Sequence, residues 1–232
     1  MKTRRLAIIP ARGGSKRIKK KNIKQFLGKP IISYSIETAL KSNLFSKIHV
    51  STDSLEIKKI SEKNKINIDF LRPKNLANDN AGLIEVLKFV ANKYKNLGYK
   101  FDEVWLIMPC SPLINYKDLI KASKIYKKNN SNKILLSISE YNVPIQWSYK
   151  LNKNKSLVPN FTKFIDLDSK KIKKSYHDNG SFVIYNFDNV IKNKIFKNQF
   201  IGYEIPKDRS IDIDDELDWN IAEALYLKKN KL

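Results

Sequence analysis

The stretch LAIIPARGGSKR, Leu6–Arg17, joins an uninterrupted apolar run to two glycines and a cluster of cations. A run of this kind reads as a strand inside a sheet covered on both faces, and it is too short to span a membrane. Glycine admits positive φ and the close approach of a ligand, so Gly13, Gly14 and Ser15 can turn successive N–H groups towards one point. Arg12, Lys16, Arg17, Lys19, Lys20 and Lys21 surround that point with positive charge. An anion is the natural occupant, and a polyphosphate fits best. The spacing matches neither the P-loop nor the dinucleotide-binding glycine fingerprint, and a plain basic surface turn is the competing reading.

Outward from this loop, strand and helix patterns alternate. Pro30–Asn43 carries a proline near its start and Ile32, Ile36 and Leu40 in helical register. SKIHVSTD reads as a strand ending at Asp53, SLEIKKISEKNK as a helix, INIDFL as a strand and GLIEVLKFVANKY as a helix. DEVWLIMPCSP reads as a strand broken by prolines, followed by helix YKDLIKASKIYKKN and strand NKILLSISE. Such alternation predicts an α/β fold, a mostly parallel sheet flanked by helices on both sides. Ligands of such sheets bind beyond the carboxyl ends of the strands, so the opening loop, Asp53, MPCSP and SEYNVP are expected to share one rim. Residues 141–185 break the pattern with polar, lysine-rich sequence, and are expected to form an inserted lid or dimerisation segment within a single domain spanning 1–232.

The 232 residues, 42% of them hydrophobic, suffice for one domain with a sizeable core. One cysteine, Cys110, excludes an intramolecular disulfide framework, and no apolar segment has signal-peptide or transmembrane character, so a soluble cytoplasmic protein without membrane insertion is expected. The formal charge of +22 invites a nucleic-acid reading. The excess is scattered lysine, as in KKNNSNK and KNKIFKNQ, and neither zinc-ligand spacing nor an RRM-like aromatic motif is present, so no specific nucleic-acid partner is expected. Cys110 reads as a packed residue rather than a nucleophile, His49 as structural, and Trp105 and Trp219 as core.

Near the end, SIDID places two carboxylates two residues apart. In an extended chain Asp212 and Asp214 point to one face, roughly 6 to 7 Å apart, with Ile211 and Ile213 towards the core. Two such carboxylates can hold one Mg²⁺ together with phosphate oxygens; Asp215 and Asp218 suffice for capping the following helix. A basic glycine loop for phosphates and an acidic pair for a divalent ion are the equipment of nucleotidyl transfer, where catalysis is mainly positioning and charge stabilisation.

IIPARGGSKRIKKKNI resembles the N-terminal signature of the acylneuraminate cytidylyltransferases, which make CMP-activated nonulosonic acids. The likeness continues through LGKPIISYSIETAL, IHVSTDS, FLRPKNLANDNAG, SPL, Asn179-Gly180 and SIDIDDELDW, nearly the whole chain. YNVPIQWSYKLN and YHDNGSF are most similar to the pseudaminic acid members. The resemblance implies a nucleotide-diphospho-sugar transferase-like fold, a homodimer joined through the inserted segment, and a need for CTP and Mg²⁺. It implies that Arg12, Gly13, Gly14, Ser15, Lys16 and Lys21 hold the triphosphate, and that Asn22 and Arg72 seat the cytidine. Asp212 and Asp214 would bind the metal, with Arg12 and Lys21 beside them in catalysis; Gln146, Tyr176, His177, Asp178 and Asn179 would face the sugar. Two departures stand out: Leu83 replaces a Thr or Ser of many relatives, and Met108 replaces a glutamine common in sialic acid enzymes, which argues against N-acetylneuraminate. Legionaminate, N-acetylneuraminate and 3-deoxy-manno-octulosonate are the alternative sugars; a glycosyltransferase or a nucleic-acid binder would be a different class. No side chain stands out as the general base.

Overall fold

The computed structural model describes residues 3–129, 133–194 and 199–230. In chain order it runs β1 (Arg5–Pro10), the short arms β2 (Gln25–Phe26) and β3 (Lys29–Pro30), α1 (Ile31–Ser42), β4 (Lys47–Ser51), α2 (Leu55–Lys63), α3 (Leu83–Asn96), β5 (Glu103–Ile107) and α4 (Tyr116–Lys128). It continues through β6 (Ile134–Glu140), β7 (Tyr149–Leu151), β8 (Leu157–Pro159), β9 (Tyr176–Asn186), α5 (Phe187–Ile191), β10 (Phe200–Glu204) and α6 (Glu216–Asn230). Asn132, at the start of one expected strand, lies outside the described residues.

Six strands form the central sheet in the order β10-β6-β9-β5-β1-β4. All run parallel except β9, which pairs antiparallel with both β5 and β6. Every residue of β1 is buried, as a strand covered on both faces must be. Ala7 and Ile9 enter one core layer with Ile32 and Ile36 of α1, Ile57 of α2 and Leu119, Ala122 and Tyr126 of α4. Leu6 and Ile8 enter the opposite layer with Leu87, Val90, Ala91 and Tyr94 of α3 and Phe187 and Val190 of α5. Trp105 and Trp219 are buried as expected. Local chemistry sets the helix starts: the Ser54 hydroxyl accepts from the Ile57 amide, and Asn115 and Asp118 cap α4 reciprocally.

Three expectations from the sequence change in the structure. INIDFL is not a strand: Ile66 and Ile68 are buried in alternation, but β4 remains the sheet edge and Arg72 N–H to Thr52 C=O, 2.7 Å, is the backbone link between the two segments. Alternation reports burial, whereas a strand also needs a ladder partner. SIDID is irregular rather than a strand, although Ile213 is fully buried. The far end of the stretch expected to be inserted, Tyr176–Tyr185, lies in the middle of the sheet as β9. Only residues 141–175, with the small β7–β8 hairpin, stay outside it.

β9 enters the sheet irregularly. Its register against β6 shifts between Leu136 and Ile138, Gly180 takes φ +66°, and the Phe182 amide donates to Ser137 Oγ at 2.9 Å instead of to a backbone carbonyl. A bulge of this kind re-aims the strand beside a functional rim, and here it turns Gly180 towards the ends of β1 and β5.

His49 on β4 is structural, as expected. It is fully buried, stacked on Phe70 with ring centroids 4.4 Å apart, and its Nδ1 lies 3.0 Å from the Tyr94 hydroxyl. That hydroxyl donates to Asp69, which pairs with Lys47. Burial lowers the His49 pKa to about 3, so the folded protein keeps it neutral while the unfolded chain protonates near 6.5. Its contribution to stability is therefore complete above pH 6.5 and is lost as pH falls towards about 3. Urea midpoints measured between pH 7 and 4 should fall more steeply for the parent than for His49→Phe; parallel curves would contradict this.

Candidate active site

The carboxyl ends of β1 and β5 and the first residues of β9 meet at one rim, where a cleft of about 660 Å³ opens; Asp53, after β4, does not line it. Arg12, Ser15, Lys16, Lys21, Asn22, Arg72, Asp212 and Asp214 line it, together with Met108 and Cys110 of the expected MPCSP rim. Leu83, at the start of α3, and Gly180 line it as well. SEYNVP does not: residues Glu140–Pro144 border a second hollow of about 500 Å³ against Ser169, Lys170 and Ile172–Ser175.

The glycines of the loop work differently from the expectation. Neither Gly13 nor Gly14 has positive φ; the left-handed residue is Lys20, at φ 53°. Gly13 instead permits close packing, since a Cβ there would stand 3.2 Å from Ser54 Cβ. Its N–H is occupied by Asp53 Oδ1 at 3.0 Å. Gly14 has open space where a side chain would begin, leaving its backbone accessible.

Among the described residues five of the six loop cations have a carboxylate partner, that of Lys20 being Glu56 at 2.7 Å. Arg12 and Lys16 share Asp79, at 2.6 and 2.5 Å, and their hydrogen bonds, Lys16 first, hold its pKa below the usual range. Arg17 contacts Asp214 at 2.6 Å, and Lys21 lies 3.7 Å from the same residue while donating to the Ile213 carbonyl at 2.5 Å. Asp79 was not singled out in the sequence. It is visible in LANDNAG, but its pairing with residues more than sixty positions earlier is a product of the fold.

Asn22 and Arg72 are buried behind the loop. Asn22 donates to the Arg12 carbonyl at 2.9 Å and accepts from the Cys110 thiol at 3.3 Å. Burial pushes that thiol up to about 12, so it is not a thiolate nucleophile at neutral pH. Arg72 is held by Ser51 through Nε to Oγ, 3.1 Å, and Nη2 to the carbonyl, 2.5 Å. It has no carboxylate ion pair among the described residues, and burial lowers its pKa to about 10, leaving a cation at the cleft wall at pH 7.

The acids share the cleft without being alike. Asp214 is ion-paired; Asp212 makes no hydrogen bond or ion pair among the described residues, and a Cβ on Gly180 would stand 3.2 Å from its Oδ2. Desolvation by the cleft walls, then the charge of Asp214, raise the Asp212 pKa. Downstream, Asp218 and Asp215 cap α6 reciprocally, with Asp218 N–H to Asp215 Oδ1 at 2.9 Å and Asp215 N–H to Asp218 Oδ2 at 3.3 Å, which leaves the upstream pair for other work. Among the described residues no three or more His, Cys, Asp or Glu gather as a metal site. A divalent ion at Asp212 and Asp214 would complete its shell with phosphate or water, a donor set suited to Mg²⁺.

The five residues expected to face the sugar do not line the cleft. Asn179 is buried, donating to Ser139 Oγ at 3.0 Å and accepting from the Ser181 amide. Asp178 accepts from the Gly180 amide at 2.9 Å. His177 Nδ1 lies 2.9 Å from the Asp178 carbonyl, with its ring beside Tyr141. Gln146 donates to Ser175 Oγ at 3.4 Å while its buried Oε1 has no hydrogen-bond partner among the described residues, and Tyr176 is exposed.

The sequence profile of the family described as Cytidylyltransferase matches residues 6–227. The chain belongs to that family. This cytidylyltransferase is 37% identical to the pseudaminic acid cytidylyltransferase of Campylobacter jejuni, over 95% of both chains. It is 34% identical to the N-acylneuraminate cytidylyltransferase of Escherichia coli, over the whole of this chain and 54% of that protein. It is 31% identical to the CMP-N,N'-diacetyllegionaminic acid synthase of Legionella pneumophila, over 95% of each. Its fold matches a solved CMP:2-keto-3-deoxy-manno-octonic acid synthetase complexed with CTP, at a TM-score of 0.73 and 15% identity over 98% of this chain and all of that one.

The unequal environments of the acids give a stability prediction for this cytidylyltransferase. A carboxyl whose folded pKa is raised destabilises the fold once pH exceeds its unfolded value. Asp212→Asn should therefore hold or raise the thermal unfolding midpoint at pH 7, whereas Asp214→Asn, which strips Arg17 and Lys21 of their partner, should not raise it. Scanning calorimetry of the two variants decides the matter, a clear fall for Asp212→Asn being the contrary result.

Proposed function

We propose that this enzyme transfers CMP from CTP to the anomeric C2 hydroxyl of a nonulosonic acid, pseudaminic acid in first place, and releases pyrophosphate. The observation that carries the reading is 37% identity over 95% of both chains with a protein named for that activity, together with a cleft that sets a basic loop against an acidic pair.

Within that cleft the triphosphate would take the seat that Asp79 occupies between Arg12 and Lys16, exchanging one anion for another. The open face of Gly14 and the Ser15 hydroxyl would add uncharged donors. Arg72, cationic and without a carboxylate, would face the nucleotide from the opposite wall, and Asn22 would hold the loop backbone at Arg12. Asp212 and Asp214 would hold Mg²⁺, which when bound neutralises charge developing on the α-phosphate. Lys21, anchored on the Ile213 carbonyl, would fix the separation of the basic and acidic walls. Met108 presents apolar surface in the cleft, suited to a sugar with a methyl group and a second N-acyl substituent.

Residues 141–175 would complete the assembly as a lid and homodimer contact. Support comes from the apolar side chains they expose, among them Val143 at 64%, Leu151 at 65% and Leu157 at 60%. In a dimer the sugar-facing role expected of Gln146, Tyr176, His177 and Asp178 would be met from this side of the cleft or across the interface. No helix among the described residues is long and apolar enough to cross a membrane, and an enzyme consuming CTP would work in the cytoplasm.

With Mg²⁺, pyrophosphate release should require CTP and a nonulosonic acid together, and kcat/KM for pseudaminic acid should exceed that for N-acetylneuraminic acid. A preference for N-acetylneuraminic acid would overturn the choice of sugar, and activity with every NTP alike would overturn the choice of nucleotide. Separately, Arg12→Ala should weaken CTP binding measured by calorimetry in EDTA by about tenfold, the loss of one charge-assisted contact; parent-like affinity would remove Arg12 from the phosphate site.

A further inference from the structure

The two acids stand on a segment with little backbone support of its own. The last backbone hydrogen bonds before them are Arg209 N–H to Pro206 C=O, 2.9 Å, and Ser210 N–H to Lys207 C=O, 3.3 Å; the next is that of Asp214 N–H to the Asp218 side chain, 2.9 Å. Between them, the N–H groups of Ile211, Asp212 and Ile213 make no hydrogen bond among the described residues; Ile213 is anchored by its buried side chain and by Lys21 Nζ on its carbonyl, 2.5 Å, so the course of Asp212 depends on the upstream end as well. The downstream end is the α6 cap. The upstream end is a buried polar junction. Arg209 forks onto Asp118, with Nη1 to Oδ2 at 2.6 Å and Nη2 to Oδ1 at 3.0 Å, and Asp118 also accepts from the Tyr203 hydroxyl at 3.0 Å and from the Asn115 amide at 2.9 Å. Next in the chain, Ser210 Oγ lies 2.5 Å from Ser139 Oγ, which is 2.8 Å from the Ile205 carbonyl and accepts from Asn179.

We infer that Arg209 is a positioning residue for the acidic pair: its bidentate bond to Asp118 at the start of α4 fixes the turn from which Asp212 is suspended. The inference rests on the metal-binding reading of the pair. The bond suits the task because a guanidinium fork on a carboxylate fixes orientation as well as distance. Asp118 is in turn immobilised by α4 and β10, so the junction ties the acid segment to rigid elements. Arg209 itself does not line the cleft.

The two ends imply an asymmetry. Asp214 has the α6 cap, Arg17 and Lys21 to keep it in place. Asp212 has no such partner among the described residues and is held between the buried Ile213 and the upstream junction. Loosening Arg209 therefore displaces Asp212 and spares Asp214, a pattern that a general loss of stability would not produce.

The test is a double-mutant comparison in the full-length protein, using Arg209→Lys, Asp212→Asn, Asp214→Asn and the two double variants containing Arg209→Lys. Binding of Mn²⁺ alone is read from water-proton relaxation, and kcat and KM for CTP are measured across Mg²⁺ concentrations. Arg209→Lys should weaken Mn²⁺ binding and raise the Mg²⁺ needed for half-maximal rate by about tenfold, as for other residues that orient ligands, with CTP affinity in EDTA unchanged. It should add nothing to Asp212→Asn, yet add its full effect to Asp214→Asn. Unchanged Mn²⁺ binding in a folded Arg209→Lys, or equal additivity with both acids, overturns the inference. Should Arg209→Lys fail to fold, Ser210→Ala removes the neighbouring anchor, and the same non-additivity with Asp212→Asn is required of it. Parent-like Mn²⁺ binding and turnover in Asp212→Asn itself would overturn the metal reading instead, an outcome separable from the failure of Arg209.

Discussion

The burial of Ile18 and Ile213 in one apolar cluster holds the two charged walls of the cleft together. Ile18 follows the basic loop and Ile213 separates the two acids; both are almost fully buried, with Phe26, Ile31, Tyr34, Trp219 and Ala222. Each isoleucine contributes roughly 1.5 to 3 kcal/mol on burial, whereas an exposed pair such as Arg17 with Asp214 contributes about 0 to 1. The apolar contact therefore carries the juxtaposition, and the ion pairs orient what it has already placed. Lys21 spans the same junction from the polar side, its ammonium on the Ile213 carbonyl.

The sheet supplies the other constraint. Five parallel strands would send every chain end to the same rim, but β9 runs the other way, so its beginning rather than its end arrives there. The bulge at its start turns the backbone so that Gly180 faces the cleft and Asp212 packs against it. Asn179 is consumed in making that turn, bonded to Ser139 and to the Ser181 amide. A residue expected beside the sugar thus serves the scaffold that presents the acids. The likeness in fold to the CMP:2-keto-3-deoxy-manno-octonic acid synthetase, at 15% identity, fits a frame defined by burial pattern and topology more than by particular side chains.

The charged side chains that line the cleft are ion-paired among the described residues, with two exceptions. Among the described residues Arg72 is a buried cation with no carboxylate ion pair, and Asp212 a carboxylate with no cation ion pair. Both line the same space, one for negative charge and one for positive. A nucleotide with its divalent ion would supply both, which is the electrostatic basis of the proposed function.

Much of this was legible in the sequence. The apolar run of Leu6–Pro10 and the helical register of Ile32 and Ile36 are local patterns, and burial periodicity expresses them directly; they determined the α/β fold and its helices. The glycine loop, the acidic pair and their complementary charges were legible because residue type and spacing carry that chemistry. Tertiary structure alone decided the rest. Ile66 and Ile68 show strand alternation, yet no neighbour offers them a ladder. β9 lies in sequence that reads as an insertion, and its place between β5 and β6 comes from pairing with residues at least 36 positions away. The partners of Arg12, Lys16 and Asp118, and the isolation of Asp212, likewise depend on groups distant in the chain, because pairing between side chains is set by where the core places the backbone.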